Sequence, residues 1–282
     1  MPRVKKTVVK KVARKRAPKK GGSILSQAVS VALQDDDTIN INLYGRSGTG
    51  KTTLACTFPK PLLILSFEVG KSGGTKSVHN VKGVEYLAIK TSEELSAVTE
   101  ELADSEYNTV VVDTAGGLQD MVLREILELD QLPAQRSWGM AKQQEWGQCA
   151  LQTKERLRAL LDLPIHTVIV AQEREFSSDT ESDLVMPYIA SALTPSVTGW
   201  LNPACDYIGQ TYLRPKTKTK KVTVGKKTIT KSVRSGGMEY CLRTAPDEIY
   251  TTKFRLPKGS TLPPCIVDPD FDKIYKLISQ GG

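Results

Sequence analysis

The sequence predicts an α/β fold: a doubly wound, mostly parallel sheet with antiparallel strands toward the C-terminus and a basic hairpin among them. Three observations predict it. Five short apolar, β-branched runs alternate with helical patterns between residues 39 and 171, as in βαβ units whose strands are covered on both faces. The first run leads into GRSGTGKTT (45–53), a glycine-rich turn that opens a helix. Late in the chain, two alternating basic runs face each other across Gly225-Lys226-Lys227, a hairpin pattern.

The first strand, 39–44, delivers the glycine-rich turn. Gly45, Gly50, Lys51 and Thr52 fit the phosphate-loop spacing G-x-x-x-x-G-K-[ST]. Gly45, Gly48 and Gly50 let the backbone turn its N–H groups toward an anion. Arg46, Ser47, Thr49 and Thr53 complete the loop, and the helix behind it adds positive dipole. Lys51 is expected to reach the β- and γ-phosphates and the Thr52 hydroxyl to ligate Mg²⁺. A purely structural glycine turn is the alternative, and the flanking strand and helix speak against it. No guanine-recognition N-K-x-D pattern is present, so ATP is expected rather than GTP.

The loop helix is brief, stopped at Phe58 by Pro59. A strand over 62–66 ends in Phe67-Glu68, which puts Glu68 at a strand's carboxyl end, where open α/β sheets bind ligands. Strand 84–89 follows a polar loop. Thr91-Ser92-Glu93-Glu94 reads as a capping box opening a helix to about residue 104. Strand 109–112 ends in Asp113, the position of a magnesium-holding carboxylate; a helix-capping aspartate is the alternative. An amphipathic segment spans Leu118–Leu129. In the next loop Trp138 is open to either base stacking or packing. The helix over Met140–Leu161 places Trp146 in the core.

Strand 167–171 ends in Gln172-Glu173. An amide there is suited to orient water or sense a γ-phosphate. Thr114 stands where many ATPases carry a glutamate after the magnesium aspartate, so the water-activating carboxylate must come from elsewhere. Glu68 is the first candidate and Glu173 the second. Residues 176–199 read as loop-rich, with a short helix near Pro195–Leu201. Strand 206–213, the hairpin 214–234, and strands 238–243 and 249–255 follow. Asp268-Pro269 reads as an N-cap with proline at N1, opening a last helix to about Ile278.

Charge is unevenly placed. The chain carries +8 overall, but residues 1–22 hold ten Lys and Arg with no acid, and residues 214–234 hold nine with no acid. The rest has 20 basic against 31 acidic side chains. An acidic body with two basic segments favours an anionic polymer as partner. Residues 1–22 are expected to be a disordered basic tail, read as a nucleic-acid arm, a solvated tail or an import signal, ahead of one domain over 23–282. Lys216, Lys218, Lys220, Lys221, Lys226, Lys227 and Lys231 are expected to hold nucleic-acid phosphates, since no aromatic interrupts the hairpin. Five scattered cysteines suggest reduced thiols and a cytoplasmic setting. No apolar run approaches the ~20 residues of a membrane span, no secretory signal is visible, and two distant histidines form no metal cluster. His166 reads as a strand-start residue.

The succession GRSGTGKTT, PLLILSFE, TVVVD and VIVAQE resembles the RecA-like ATPase core. It is most similar to compact, phage-encoded RecA-like nucleotide-binding proteins, some of which act in single-strand annealing and recombination. The resemblance covers about Ile39–Ile278, and only its phosphate loop is highly specific. It implies a Mg²⁺-dependent ATPase in which Glu68 activates water and Gln172 couples the γ-phosphate to DNA loops. It also implies that Lys253 and Arg255, in a K-x-R pattern, act on a neighbouring subunit's phosphates, and hence a homo-oligomer; a solvated strand face is the alternative. Single-stranded DNA and a single-strand-binding protein are the implied partners, in a bacterial cytoplasm. The chain departs from RecA in lacking separate N-terminal and large C-terminal domains, so filaments and full strand exchange are not implied. An ATP-switched assembly module with little turnover and a phosphotransferase are the rival readings; no arginine-rich lid supports the latter.

Overall fold

The structure is a computed structural model, and it describes residues 38–67, 78, 81–129, 141–177, 187–224, 227–256 and 259–280. The expectations for the basic tail, for Trp138 and for Glu68 lie outside the described residues.

In chain order, β1 (Asn40–Gly45) feeds the phosphate loop and α1 (Lys51–Ala55). Then come β2 (Leu62–Ser66), β3 (Val84–Ala88), α2 (Ser92–Leu102), β4 (Thr109–Asp113), α3 (Ala115–Ile126), α4 (Gln143–Leu161) and β5 (His166–Ala171). The later elements are β6 (Glu173–Phe176), β7 (Tyr188–Ser191), α5 (Pro195–Ala204), β8 (Tyr207–Val224), β9 (Lys227–Arg243), β10 (Lys253–Phe254), β11 (Cys265–Val267) and α6 (Phe271–Gln280).

The main sheet runs β11-β9-β8-β1-β5-β4-β2-β3, with β10 beside β8. Every pair from β3 to β8 is parallel, and β9, β10 and β11 pair antiparallel. β5 therefore separates the phosphate-loop strand β1 from the aspartate strand β4, the RecA-like arrangement. The continuous apolar runs are explained by burial on both faces. Leu63, Leu65, Val110 and Val112 join a core with α2, α3, α4 and α5. Leu62, Ile64, Val111 and Val168 join a second core with α1 and α6 on the other face. Trp146 packs half-buried against the first core, and His166 starts β5 with Nδ1 accepting from the Ile39 N–H at 3.0 Å. The Thr91 hydroxyl caps α2 by accepting from the Glu94 N–H at 3.1 Å. The Glu94 carboxylate reaches the Lys90 N–H rather than that of Thr91.

Four expectations change. The segments read as three separate pieces, 206–213, 214–234 and 238–243, are two long strands in one ribbon. Pro215 pairs with Met238 and Thr217 with Arg234, so three residues of β9 face one of β8. Proline lacks an N–H and Gly236 and Gly237 take positive φ (79° and 77°), so residues that read as breakers form a bulge through which the ribbon continues. The strand expected over 249–255 shrinks to Lys253–Phe254, because the Asp247 carboxylate accepts the N–H groups of Ile249 and Tyr250 at 3.0 Å each and holds them in a turn. The stretch 176–199, read as loop-rich, contributes β7, which pairs antiparallel with β6, the strand formed by Glu173–Phe176 just after β5. The last helix starts at Phe271. Asp270, accepting from the Lys273 N–H at 2.8 Å, caps it, whereas Asp268 sits at φ 45° in the preceding turn.

Candidate functional site

Parallel pairing brings the strand ends that carry chemistry to one edge of the sheet. Gly45 is level with Thr211, Ser66 with Asp113, and Tyr44 with Ala171, the residue before Gln172. Gly45 is required by close approach: a Cβ there would stand 2.3 Å from the Thr211 carbonyl oxygen and 2.5 Å from its hydroxyl. Gly50 opens α1 in the left-handed region (φ 86°) with no side-chain cap, which leaves the first N–H groups to an incoming oxyanion. The loop is stiffened from inside. Thr49 is buried, its hydroxyl donates to the Arg46 carbonyl at 2.8 Å, and it shares a 2.7 Å hydrogen bond with the Thr211 hydroxyl.

Lys51 is only 6% exposed. Its Nζ donates to the carbonyls of Gly45 (2.8 Å) and Arg46 (2.7 Å) and to Gln172 Oε1 (3.3 Å). Burial lowers its pKa below the ordinary lysine value, and the Asp113 and Glu173 carboxylates pull it part of the way back. The Thr52 hydroxyl donates to Asp113 Oδ2 at 3.0 Å, and Asp113 is itself buried. A hydroxyl and a carboxylate at this separation, beside a phosphate site, are the hard oxygen pair that Mg²⁺ takes together with phosphate oxygens. Thr114 caps α3, accepting from the Gly117 N–H at 3.1 Å, so the helix-capping role belongs to Thr114 and Asp113 is left facing the loop.

These groups open on a cavity of about 750 Å³ that Ser47, Gly48 and Thr53 also line. Glu173 lies apart from it, beside a smaller hollow of about 380 Å³. One carboxylate oxygen pairs with Arg46 Nε at 2.8 Å, and the other accepts from Gln210 Nε2 at 3.2 Å. The structure thus brings together Lys51, Thr52, Asp113 and Gln172, and turns Arg46 and Glu173 toward each other.

Lys253 and Arg255 are placed elsewhere. β10 pairs with Tyr207 and Ile208 at the start of β8, three or four residues, about 10–13 Å, before the level of Gly45. Lys253 Nζ donates to the carbonyls of Asn202 (2.6 Å) and Pro203 (3.3 Å) at the end of α5. Arg255 donates to the Pro203 carbonyl at 3.3 Å and forms an ion pair with Asp206. Within the chain, both cations close a helix C-terminus. Of the hairpin lysines, Lys216 and Lys218 are exposed on the ribbon. Lys226 and the side chains of Lys220, Lys221, Lys227 and Lys231 lie outside the described residues.

Sequence reasoning missed Thr211 and Tyr240, which also line the main cavity, and the role of the Asp268–Asp270 turn at its rim. They reach the loop through β8 and β9, and no local pattern marks them. Among the described residues, no helix is long and apolar enough to cross a membrane.

A family model described as an AAA domain matches residues 37–256. No curated protein matches the chain. Similar solved structures include the flagellar accessory protein FlaH from Methanocaldococcus jannaschii, 12% identical over 82% of this chain and 86% of that one, with a TM-score of 0.38. They also include the RadB recombinase, 16% identical over 73% of this chain and 87% of that one, with a TM-score of 0.37. The RecA-like assignment rests on strand order and on the phosphate loop.

Proposed function

The chain belongs to the AAA domain family of phosphate-loop nucleoside triphosphatases, and from that premise we propose that it is a Mg²⁺-dependent ATPase acting on single-stranded DNA. The process would be recombination, annealing, or replication and repair of the phage type, with a homo-oligomer and a single-strand-binding protein as partners. The observation that carries the DNA reading is the course of the β8–β9 ribbon. Its base forms the wall of the phosphate loop at Thr211 and Tyr240, and its outer part carries the basic run that starts at Arg214. A polyanion held by the outer ribbon is therefore mechanically continuous with the nucleotide site. Without an aromatic in the outer ribbon, the hold would be on phosphates, tolerant of sequence and steeply salt-dependent.

The test is turnover and DNA retention with and without single-stranded DNA, at low and moderate salt. Stimulation that fades with salt, and that Lys51→Ala removes, is expected. No stimulation and no retention at low salt would end the DNA reading.

One observation favours a slow, ATP-switched assembly module. Among the described residues that line the cavity, Asp113 is the carboxylate beside Thr52, and Glu173 is committed to Arg46 and Gln210. Asp268 and Asp270 line the cavity as well, beside Thr57 and Tyr240, and the first candidate for the water-activating carboxylate stays Glu68. Glu68→Gln should keep ATP binding and lose turnover. Wild-type turnover in that variant would discard Glu68, and negligible turnover of the wild type with saturating DNA would favour the switch.

A further inference from the structure

The main cavity has a second end that phosphate chemistry leaves unused. Asp113 and Gln172 mark one end through their contacts with Thr52 and Lys51. Thr57, Tyr240 and the Asp268–Asp270 turn form a second group in the lining, tied together by hydrogen bonds, and we take it as the other end. Thr57 lies five residues past Thr52, just beyond the end of α1, on the side away from the loop.

This end is a built wall. The Tyr240 ring lies against the loop: a Cβ on Gly50 would stand 3.0 Å from Tyr240 Cδ1. Yet Tyr240 remains 47% exposed, so one edge of the ring is packed and its remaining surface is open. The next two residues, Cys241 and Leu242, are buried and anchor its backbone. The turn opposite is pinned at both ends. The Asp268 N–H donates to the Tyr240 carbonyl at 2.7 Å, and the Phe271 N–H donates to the Thr57 hydroxyl at 2.9 Å. Asp270 is occupied by Lys273, through its N–H at 2.8 Å and its Nζ at 3.3 Å. The turn thus offers the cavity the flat ring of Pro269 and, at the rim, the exposed Asp268 carboxylate, an acceptor for amino hydrogens.

We propose that this end is the nucleoside subsite, in which the Tyr240 ring stacks on a purine base beside Pro269. The proposal rests on the nucleotide reading above and names the part of the nucleotide that reading leaves unassigned. Stacking strength gives a modest preference for the larger purine face over a pyrimidine, and Asp268 favours a base with an exocyclic amino group. Because Tyr240 belongs to β9, the base would rest on the ribbon that carries the basic run. Nucleotide and polyanion affinities are then linked, each changing the other by the same factor.

The experiment is calorimetric titration of the full chain with ATP, CTP and inorganic tripolyphosphate, on the wild type and on Tyr240→Ala, Tyr240→Phe and Lys51→Ala. Tyr240→Ala should weaken ATP by about tenfold, the scale of one base–aromatic stack, leave tripolyphosphate unchanged, and erase the preference for ATP over CTP. Tyr240→Phe should restore all three. Equal losses of ATP and tripolyphosphate in Tyr240→Ala would show that the ring acts only by packing on Gly50 and would overturn the proposal, as would wild-type ATP affinity. Lys51→Ala separates the two levels: loss of both ligands there upholds the phosphate site whatever Tyr240 does, and wild-type affinity there overturns the nucleotide reading itself.

Discussion

The Thr52 hydroxyl donates to the Asp113 carboxylate across 3.0 Å, joining the first turn of α1 to the end of β4, two strands away from β1 in the sheet. A divalent ion bound with ATP would take both oxygens in place of this hydrogen bond. Asp113→Asn keeps the shape and removes the charge. We expect turnover to fall about a hundredfold, in line with several kcal/mol of charge stabilisation lost from the transition state, and the magnesium concentration for half-maximal rate to rise. Thr52→Ala should show the same shift in magnesium dependence with a smaller loss. Titrating magnesium at fixed ATP measures both, and an unchanged magnesium dependence in both variants would remove the pair from the metal site.

Lys51 gives a pH dependence with a definite sign. Burial depresses its pKa in the free protein, whereas a triphosphate beside it favours the charged form and raises that pKa. Between the depressed value and the higher value in the complex, the complex holds more protons than the free protein. ATP binding should therefore take up protons in alkaline solution, and affinity should fall as pH rises through the free protein's Lys51 pKa. Calorimetry in two buffers of different ionisation enthalpy reads the proton uptake directly. Proton release, or a pH-independent affinity matched by Lys51→Ala, would contradict it.

Local signals explain what was legible in the sequence. Gly45, Asp113 and Gln172 each stand at the end of a continuous apolar strand, and Lys51 and Thr52 open the helix that the loop spacing sets behind Gly45, so strand pattern and loop spacing together place them at one edge of a parallel sheet. Thr211 and Tyr240 carry no such mark. Thr211 meets Thr49 across 162 residues of chain, through the β1–β8 pairing, and Tyr240 follows only from the register of β9 on β8. Pro215 and Gly236-Gly237 misled because a breaker in one strand and glycines in its partner, opposite one another, make a bulge instead of two ends. Glu173 is named for its place beside Gln172; what the sequence could not give are the partners of its carboxylate, Arg46 from the loop and Gln210 from β8.

Gly45 and Gly48 should respond differently to alanine. A Cβ on Gly45 meets the Thr211 carbonyl at 2.3 Å, in a strand pair that cannot yield without separating β1 from β8, whereas a Cβ on Gly48 meets nothing within 4 Å. Gly48→Ala carries only the cost of its left-handed φ of 78°, about 1–2 kcal/mol. Gly45→Ala adds overpacking of about 1–3 kcal/mol and displaces Thr211 from Thr49. Chemical denaturation should rank Gly45→Ala below Gly48→Ala in stability; the reverse order would mean that the β1–β8 contact yields easily.

Lys253 and Arg255 offer a way to tell a structural role from one across a subunit boundary. Within the chain, both donate to the Pro203 carbonyl at 3.3 Å, and Lys253 also holds Asn202. Cations at a helix C-terminus contribute about 0.3–1 kcal/mol, and burial together with the neighbouring Arg255 lowers the Lys253 pKa, so part of that gain is already offset. Lys253→Ala should lower the melting temperature slightly because it leaves the Asn202 carbonyl without its 2.6 Å partner. If that is its whole role, turnover per folded molecule stays at the wild-type value at every protein concentration. A role on a neighbouring subunit's phosphates predicts the opposite pattern: unchanged melting, turnover that collapses in the variant, and partial rescue when the variant is mixed with Lys51→Ala, whose intact Lys253 would complete the variant's sites. Measuring melting and turnover on the same mixed samples decides between the two, because only the second pattern depends on which subunits stand next to each other.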